Sequence, residues 1–546
     1  MPEAWAHLPQ WRVLDTDFGS GLHFLTLWRA WRADPQRPRL LHVVAITPQA
    51  VPAEALSSPE LAAQWHALLP GFHRLSFDDG RVLLTLCVGA LEPMLRAQRF
   101  EADAIVFSGP AEAVKLVARY ARRGTHLTST TDTQAVRDAL AQLGFQVDAT
   151  QGSGGLRAVF DPAWDVRRRE PPPEHLDAPG RCAVIGAGLA GAAVASSLAR
   201  RGWQVTVLDA ADGPAAGASG LPVGMLAPHV SSDDALLSRL TRAGIRATWT
   251  ELERLLEAGR DWRPTGALER RPDGDVRVPP GWSAQGPNES WPATGAQLAS
   301  AGLPAHTAAL WHPRAAWVRP RALIGAWLQQ PGISLRTGAR VASLERSGGG
   351  WRLQDAAGAT LAEADRVVIA GGVDSAVLAS ALPLQPVRGQ LEWGRVPLAD
   401  AALPVTPVNG DGHLIAHVPD ADGALWLTGA TFDRDSRDTA PTADGTMANR
   451  ERLARLHPGA AAALAPAFAD GDARRWVGVR CASGDRRPLV GPLDAAAMPG
   501  VWVCTAMGSR GLSFAALCAE LLAAHWHGEP LSLPATLAKA LNTARL

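Results

Sequence analysis

Apolar positions in the first 160 residues fall into short runs separated by helical stretches. Arg12–Asp15 reads as a buried strand that runs into the glycine turn Phe18-Gly19-Ser20-Gly21 and then an apolar helix over Leu22–Ala33. Leu40–Ile46 and Asp103–Gly109 read as further strands, the last followed by a helix over Ala111–Arg123 that stops at Gly124. Strands alternating with helices predict an open α/β sheet. Residues 161–180 hold three consecutive prolines, mixed charges and no periodicity, and are expected to be a linker. From residue 181 a β-branched strand enters a glycine turn, an Ala-rich helix runs to Gly202, and a second strand ends in Asp209. Residues 256–325 and about 383–470, rich in Pro, Gly and Trp, suggest a second, sheet-based lobe, and a helical pattern returns over Gly511–Trp526.

Composition narrows this picture. A chain of 546 residues exceeds one hydrophobic core, so two or three domains are expected. The apolar fraction of 47% and charged fraction of 19% are those of a folded globular protein. Net charge is zero, so a nucleic-acid partner has to use local patches such as Arg119/Arg122/Arg123, Arg167–Arg169 or Arg270/Arg271. Each of these, taken singly, also reads as a solvated face. The five cysteines have no metal-ligand spacing and are odd in number, which predicts no disulfide framework, no metal and a reducing cytoplasm. No secretory signal and no long uncharged apolar run is visible, so no membrane span is expected.

The chemistry is concentrated in Gly186-Ala187-Gly188-Leu189-Ala190-Gly191. A lone GxGxxG is a weak signal. This one follows a strand and opens a helix, and an acid, Asp209, closes the next strand about 20 residues on. Gly186 permits the turn, Gly188 lets a pyrophosphate approach the backbone, and Gly191 lets helix and strand pack closely. The helix start offers N–H groups to phosphates. Asp209 is placed to accept from a ribose. Three further segments point to a flavin. They are Gly217-Ala218-Ser219-Gly220, the segment Gly478–Pro492, and the turn Gly508-Ser509-Arg510-Gly511 opening the last helix. That last turn would aim backbone N–H groups at an electron-rich ring edge.

On these motifs and on the strand Val367–Gly372 with Gly371, residues 181–546 resemble the D-amino-acid oxidase and glycine/sarcosine oxidase superfamily. The resemblance implies FAD as cofactor and an amine C–N bond as target. Arg480, in Gly478-Val479-Arg480, matches that superfamily's carboxylate-binding Arg. Arg388, Asp485 and Arg510 are further pocket candidates. The early FGSG module together with GVRCAS, PLVG, GSRGL and LCAE makes nearly the whole chain similar to the family of bifunctional tRNA 5-methylaminomethyl-2-thiouridine biosynthesis proteins. The implied fold is a Rossmann-like methyltransferase-type domain over 1–160, then the linker. A two-lobed FAD-binding oxidoreductase of glutathione-reductase-like kind follows over 181–546, with FAD-binding parts at about 181–255, 326–382 and 471–546. The implied partner is tRNA, met by a monomer. The implied reaction is oxidative removal of the carboxymethyl group from 5-carboxymethylaminomethyl-(2-thio)uridine as glyoxylate, followed by methylation of the 5-aminomethyl product with S-adenosylmethionine.

Asp15, Gly19 and Gly21 match the family's S-adenosylmethionine turn. Two positions depart from it. Thr47 stands where a ribose-binding acid is expected, and Ser108 stands where an Asp should face the reacting amine. Each lost carboxylate removes contacts of about 1–3 kcal/mol, so the methyltransferase half is expected to be degenerate and retained for docking. The alternatives are a free amino-acid oxidase with an unrelated N-terminal domain, and a non-catalytic flavoprotein that binds RNA.

Overall fold

A computed structural model describes residues 2–148, 155–164, 175–176, 178–280, 282, 289–397 and 403–546. The chain divides into two units, residues 1–179 with 520–540, and residues 180–519 with 541–546. Most of the expected linker, residues 165–174 and 177, lies outside the described residues.

Among the described residues, the first unit is built on an eight-stranded sheet. Its parallel centre is Val82–Val88, Leu40–Thr47, Gln10–Asp15, Ala102–Phe107 and Ala121–Ser129. Antiparallel edges are added by Gly71–Phe77 on one side and by Leu156–Phe160 with Phe145–Val147 on the other. Leu40–Thr47 and Val82–Val88 are buried along their whole length, in keeping with their largely apolar sequences. The helix expected over Ala111–Arg123 is formed only as far as Tyr120, as one α-helical turn, Val114–Val117, flanked by 3-10 turns. The chain then extends through Ala121–Ser129 with Gly124 inside the strand at φ 85°. Pairing with Ala102–Phe107 overrides local helix propensity here.

The same unit includes residues 520–540. Gln98 exchanges two hydrogen bonds with Leu531, through Nε2 to the carbonyl at 3.0 Å and from the Leu531 amide at 3.1 Å. Arg12 donates to the Gly528 carbonyl at 3.1 Å and to Asp103, and Arg74 donates to the Pro530 carbonyl at 2.7 Å. Leu531, Leu533 and Leu537 are buried.

The second unit has a six-stranded sheet among its described residues, ordered Ile333–Arg336, Gln204–Leu208, Arg181–Ile185, Arg366–Ile369, Val501–Thr505 and Leu489–Pro492. The first five run parallel and the last antiparallel. Helix Leu189–Arg200 is buried on nearly every residue, and its alanines and glycine leave room for that packing. The expected sheet-based lobe is a nine-stranded, largely antiparallel sheet including Ala267–Arg270, Ala309–His312, Gly412–Asp420, Gly423–Gly429 and Leu384–Arg395. Strand Arg474–Ser483 joins it along Leu384–Arg395, so this sheet runs past residue 470 and takes in the strand that carries Arg480.

Candidate active site

Five separated segments meet at the start of helix Leu189–Arg200. Gly186 has φ 109°, and a Cβ there would stand 2.7 Å from the Ala370 carbonyl oxygen, so the fingerprint turn and the Gly371 turn touch. A Cβ on Gly191 would overlap the Gly186 carbonyl oxygen. The Leu189 amide donates to Ser219 Oγ at 3.1 Å. As an acceptor there, Ser219 keeps its own O–H to donate to a phosphate oxygen. Gly188 leaves the approach open beneath that hydroxyl, and the Gly220 amide closes the loop onto the Gly217 carbonyl at 2.9 Å. Asp209 accepts from the Ala187 amide at 2.6 Å and the Ala211 amide at 2.9 Å, which holds its carboxylate beside the glycine turn. The C-terminal turn reaches the same place: a Cβ on Gly511 would be 3.1 Å from Leu189 Cδ1. Amides at a helix start, a free hydroxyl donor and an adjacent carboxylate are the donor set a dinucleotide needs, and FAD fits it.

The Gly508 amide donates to the Cys481 carbonyl at 2.7 Å. That bond fastens the cofactor turn to the end of strand Arg474–Ser483, one residue beyond Arg480. Cross-strand partners share a face of a sheet and alternate residues change face. Following the pairs from Arg480 with Val387, through Trp476, Leu391, Gly429 and His413, to Asn409 and Glu269 places Arg480, Trp476, His413, Asn409 and Glu269 on one face. The facing glycines Gly389 and Gly478 notch this face. The Arg480 guanidinium lies over Gly389 and the Trp476 ring over Gly478, where any Cβ would collide with them.

Arg480 Nη1 donates to the Thr431 carbonyl at 3.1 Å, and its Cζ lies 5.9 Å from the centre of the Phe432 ring. Burial lowers the guanidinium pKa and nearby Asp433 opposes that shift. His413 Nε2 is buried without a partner among the described residues. Burial, then the charge of Arg480, pushes its pKa down to about 4. Glu269 accepts from His312 Nε2 at 2.9 Å, and Ser290 is 2.8 Å from the other ring nitrogen. Burial pushes Glu269 upward, but the His312 bond and the charges of His312 and Arg271 outweigh it and keep the carboxyl below its ordinary range. Arg510 lies within electrostatic reach of Glu269, and burial lowers its pKa. Ser509 beside it is exposed. Sequence reasoning missed His413, Glu269 and Phe432, because their shared location depends on pairing across strands distant in the chain.

Two expected pocket residues are placed elsewhere. Arg388 pairs with Val479 in register and so faces away from Arg480. It is buried, and its donors are engaged by Asp433 at 2.8 Å, Gln390 at 3.1 Å and the carbonyls of Asp438 and Ala440. Asp485 is bound by Arg545 at 2.9 Å, by Ser483 and by Arg487, which overcome its desolvation and hold it well below the usual carboxylate range. Both fasten neighbouring backbone, Arg388 through the Asp438 and Ala440 carbonyls and Asp485 through the Arg487 amide. The basic clusters are also largely engaged. Arg122 pairs with Asp103, Arg123 with Asp161 at 2.7 Å, Arg270 with the Leu456 carbonyl, and Arg271 with the Val230 carbonyl. Residues 167–169 lie outside the described residues.

In the first unit, Gly19 and Gly21 adopt φ 52° and 80° at the helix start, as the expected turn requires. Asp15 is buried at the strand end, 3.5 Å from His23, and desolvation raises its pKa against the His23 hydrogen bond. Thr47 donates its single hydroxyl proton to the Gln49 carbonyl at 2.6 Å. The Ser108 amide and carbonyl are both bound by the Thr16 hydroxyl. Asp15, Gly19 and Gly21 suit S-adenosylmethionine, and Thr47 and Ser108 offer no carboxylate at the two positions where the family resemblance leads one to expect it.

The cofactor cradle joined to an arginine-bearing sheet defines an FAD-dependent oxidoreductase, and residues 181–525 match the family model described as FAD dependent oxidoreductase. Residues 53–162 match a model described as S-adenosyl-L-methionine-dependent methyltransferase, so FAD and S-adenosylmethionine are the cofactors of the two matched families. Among solved structures, iminodiacetate oxidase from Chelativorans sp. BNC1 is 24% identical with a TM-score of 0.52, covering 65% of this chain and 97% of that one. Glycine oxidase from Geobacillus kaustophilus is 22% identical with a TM-score of 0.51, covering 64% and 95%. These likenesses establish the fold of the second unit. Over the full length, the chain is 48% identical to the tRNA 5-methylaminomethyl-2-thiouridine biosynthesis bifunctional protein MnmC of Polaromonas naphthalenivorans, covering 99% of this chain and 91% of that protein. It is 47% identical to the protein of the same name from Delftia acidovorans, covering 100% and 93%. The chain belongs to the family of tRNA 5-methylaminomethyl-2-thiouridine biosynthesis bifunctional proteins. Among the described residues no helix is long and apolar enough to cross a membrane, and no cluster of His, Cys, Asp and Glu is placed to hold a metal.

Proposed function

We propose that this chain removes the carboxymethyl arm from 5-carboxymethylaminomethyl-(2-thio)uridine at the wobble position of tRNA, and that its first unit no longer transfers a methyl group. The observation that carries the oxidative half is the bond from Gly508 to Cys481, which joins the FAD cradle to the strand of Arg480. The substrate arm is a secondary amine bearing CH2–COO⁻. Arg480 binds that carboxylate with its free guanidinium edge, since a planar fork gives parallel charge-assisted bonds. Thr431 holds the guanidinium in place through its carbonyl. Bound FAD supplies a two-electron acceptor for the methylene C–H bond beside nitrogen. Loss of those two electrons and one further proton from nitrogen leaves a C=N bond. Water adds across it, the C–N bond breaks, and the products are the 5-aminomethyl base and glyoxylate. Positioning supplies most of what the protein adds. His413 stays neutral beside Arg480 at physiological pH, which leaves Arg480 as the cationic partner for the carboxylate.

The methyl-transfer half fails at the ribose and at the amine. A hydroxyl already committed to Gln49 offers no bidentate acceptor to ribose, and Ser108 offers no carboxylate to orient or deprotonate the aminomethyl group. The unit then serves as a docking body for tRNA. The test is mass spectrometry of nucleosides from tRNA carrying the carboxymethylaminomethyl group, incubated with the holoenzyme with and without S-adenosylmethionine. Aminomethyl-uridine in both samples is expected. Methylaminomethyl-uridine formed only with the methyl donor would overturn the second half of the proposal. No product from tRNA, with sarcosine still reducing the flavin, would overturn the first.

A further inference from the structure

Phe432 is one of two large aromatic side chains exposed among the described residues, with 49% of its surface open to solvent. An exposed phenyl ring is common enough by itself. This one directly follows Thr431, whose carbonyl holds Arg480, and its ring centre lies 5.9 Å from the Arg480 Cζ.

The backbone that presents the ring is rigidly tied. The Thr431 amide donates to the Gln390 carbonyl at 3.0 Å, and the Gln390 amide donates to Thr431 Oγ1 at 3.0 Å. Asp433 and Arg434 pair in register with Arg388 and Val387, and Arg388 binds the Asp433 carboxylate at 2.8 Å. The ring is therefore an open apolar surface on a fixed mount, beside the group that receives the substrate carboxylate.

The substrate has a matching length. Four bonds join the carboxylate carbon to C5 of uracil, and at about 1.5 Å each they span about 5 Å when extended. A carboxylate seated on Arg480 thus leaves the pyrimidine ring on a tether of about 5 Å, within reach of a phenyl ring whose centre lies 5.9 Å from the same guanidinium carbon. Unpaired bases are read by stacking on aromatic side chains, because every base presents a π face. We infer that Phe432 is the platform on which the wobble pyrimidine stacks, so that the pocket selects a base-linked N-alkyl glycine over a free one. This inference rests on the wobble-uridine reading above. It also assigns Arg388 a positioning role, through the Asp433 segment that carries Phe432.

The test uses the FAD-loaded full chain and two substrates, the free nucleoside 5-carboxymethylaminomethyl-uridine and sarcosine, which lacks a base. The readout is the ratio of their kcat/KM values from flavin reduction. Phe432→Ala and Phe432→Leu are expected to lower that ratio about ten- to a hundred-fold, through KM for the nucleoside. Phe432→Trp is expected to keep it. Leu preserves apolar cover, so a fall with Leu that Trp prevents separates stacking from simple packing. A ratio unchanged in Phe432→Ala, or restored by Leu, overturns the inference while the wild type still turns over the nucleoside. A wild type that oxidises sarcosine but not the nucleoside overturns this inference, and one that also leaves tRNA carrying the carboxymethylaminomethyl group unchanged overturns the function on which it rests.

Discussion

Replacing Arg480 tests the chemical core of the site. The guanidinium spends one N–H on Thr431, lies over Gly389, and has no carboxylate within ion-pair distance among the described residues. Its remaining edge is free for two parallel bonds to a substrate carboxylate. Hydrogen bonds between charged groups contribute about 1.5–3 kcal/mol each. Two of them, in a partly buried setting, amount to about 3–5 kcal/mol, or roughly a hundred- to several-thousand-fold in kcat/KM. Arg480→Lys keeps the charge but loses the fork, and should recover about one of the two bonds, leaving a loss of about tenfold or more. The assay is anaerobic stopped-flow reduction of the flavin by the nucleoside, after checking that the 450 nm absorbance per protein matches the wild type. An amide in place of the substrate carboxylate supplies the second arm of a cycle. It should slow the wild type strongly and Arg480→Ala hardly at all. If Arg480→Ala still discriminated acid from amide as the wild type does, the carboxylate would be bound elsewhere and the assignment would fail.

Three more predictions follow from the same geometry. Gly186→Ala should yield protein purified largely without flavin, because its Cβ would press on the Ala370 carbonyl; full flavin content by absorbance would contradict the cradle. Arg388→Met removes a buried cation bonded to Asp433, Gln390 and two carbonyls and should cost about 3 kcal/mol of stability, seen as a lower Tm, with flavin retained. His413 has a folded pKa of about 4 against an ordinary 6.5, so below pH 6.5 the unfolded chain takes the proton first and stability is lost as pH falls from about 6.5 towards 4. His413→Asn should flatten the Tm–pH profile within that window, and an unchanged profile would show that His413 is not held neutral.

The local features of the site were legible in the chain. Gly186, Gly188, Gly191 and Asp209 could be read because a dinucleotide turn is built from consecutive residues at fixed spacing. Arg480 could be read through its motif. What failed was anything that depended on pairing between distant strands. Arg388 and Arg480 both sit in arginine-glycine contexts, yet their strands pair with Arg388 opposite Val479, and a period of two then sends the two side chains to opposite faces. Asp485 is claimed by Arg545, sixty residues away, and nothing near either residue signals it. The run Ala111–Arg123 has good helix formers, but its last residues belong to a strand whose partner lies about twenty residues earlier. His413 and Glu269 come to share a face with Arg480 only through the register of six strands.

The C-terminal segment 520–540 bears on where such a chain can be cut. Helix Gly511–His527 begins at the flavin turn, yet the residues that follow Ala519 are counted with the methyltransferase-like unit, through Gln98, Arg12 and Arg74 and the buried Leu531, Leu533 and Leu537. A deletion of the first 160 residues would therefore strip the hydrogen-bond partners from Gly528, Pro530 and Leu531 in the last segment of the chain. Substitutions at Arg12 or Gln98 would likewise loosen the terminal segment of the chain as well as the unit to which they belong.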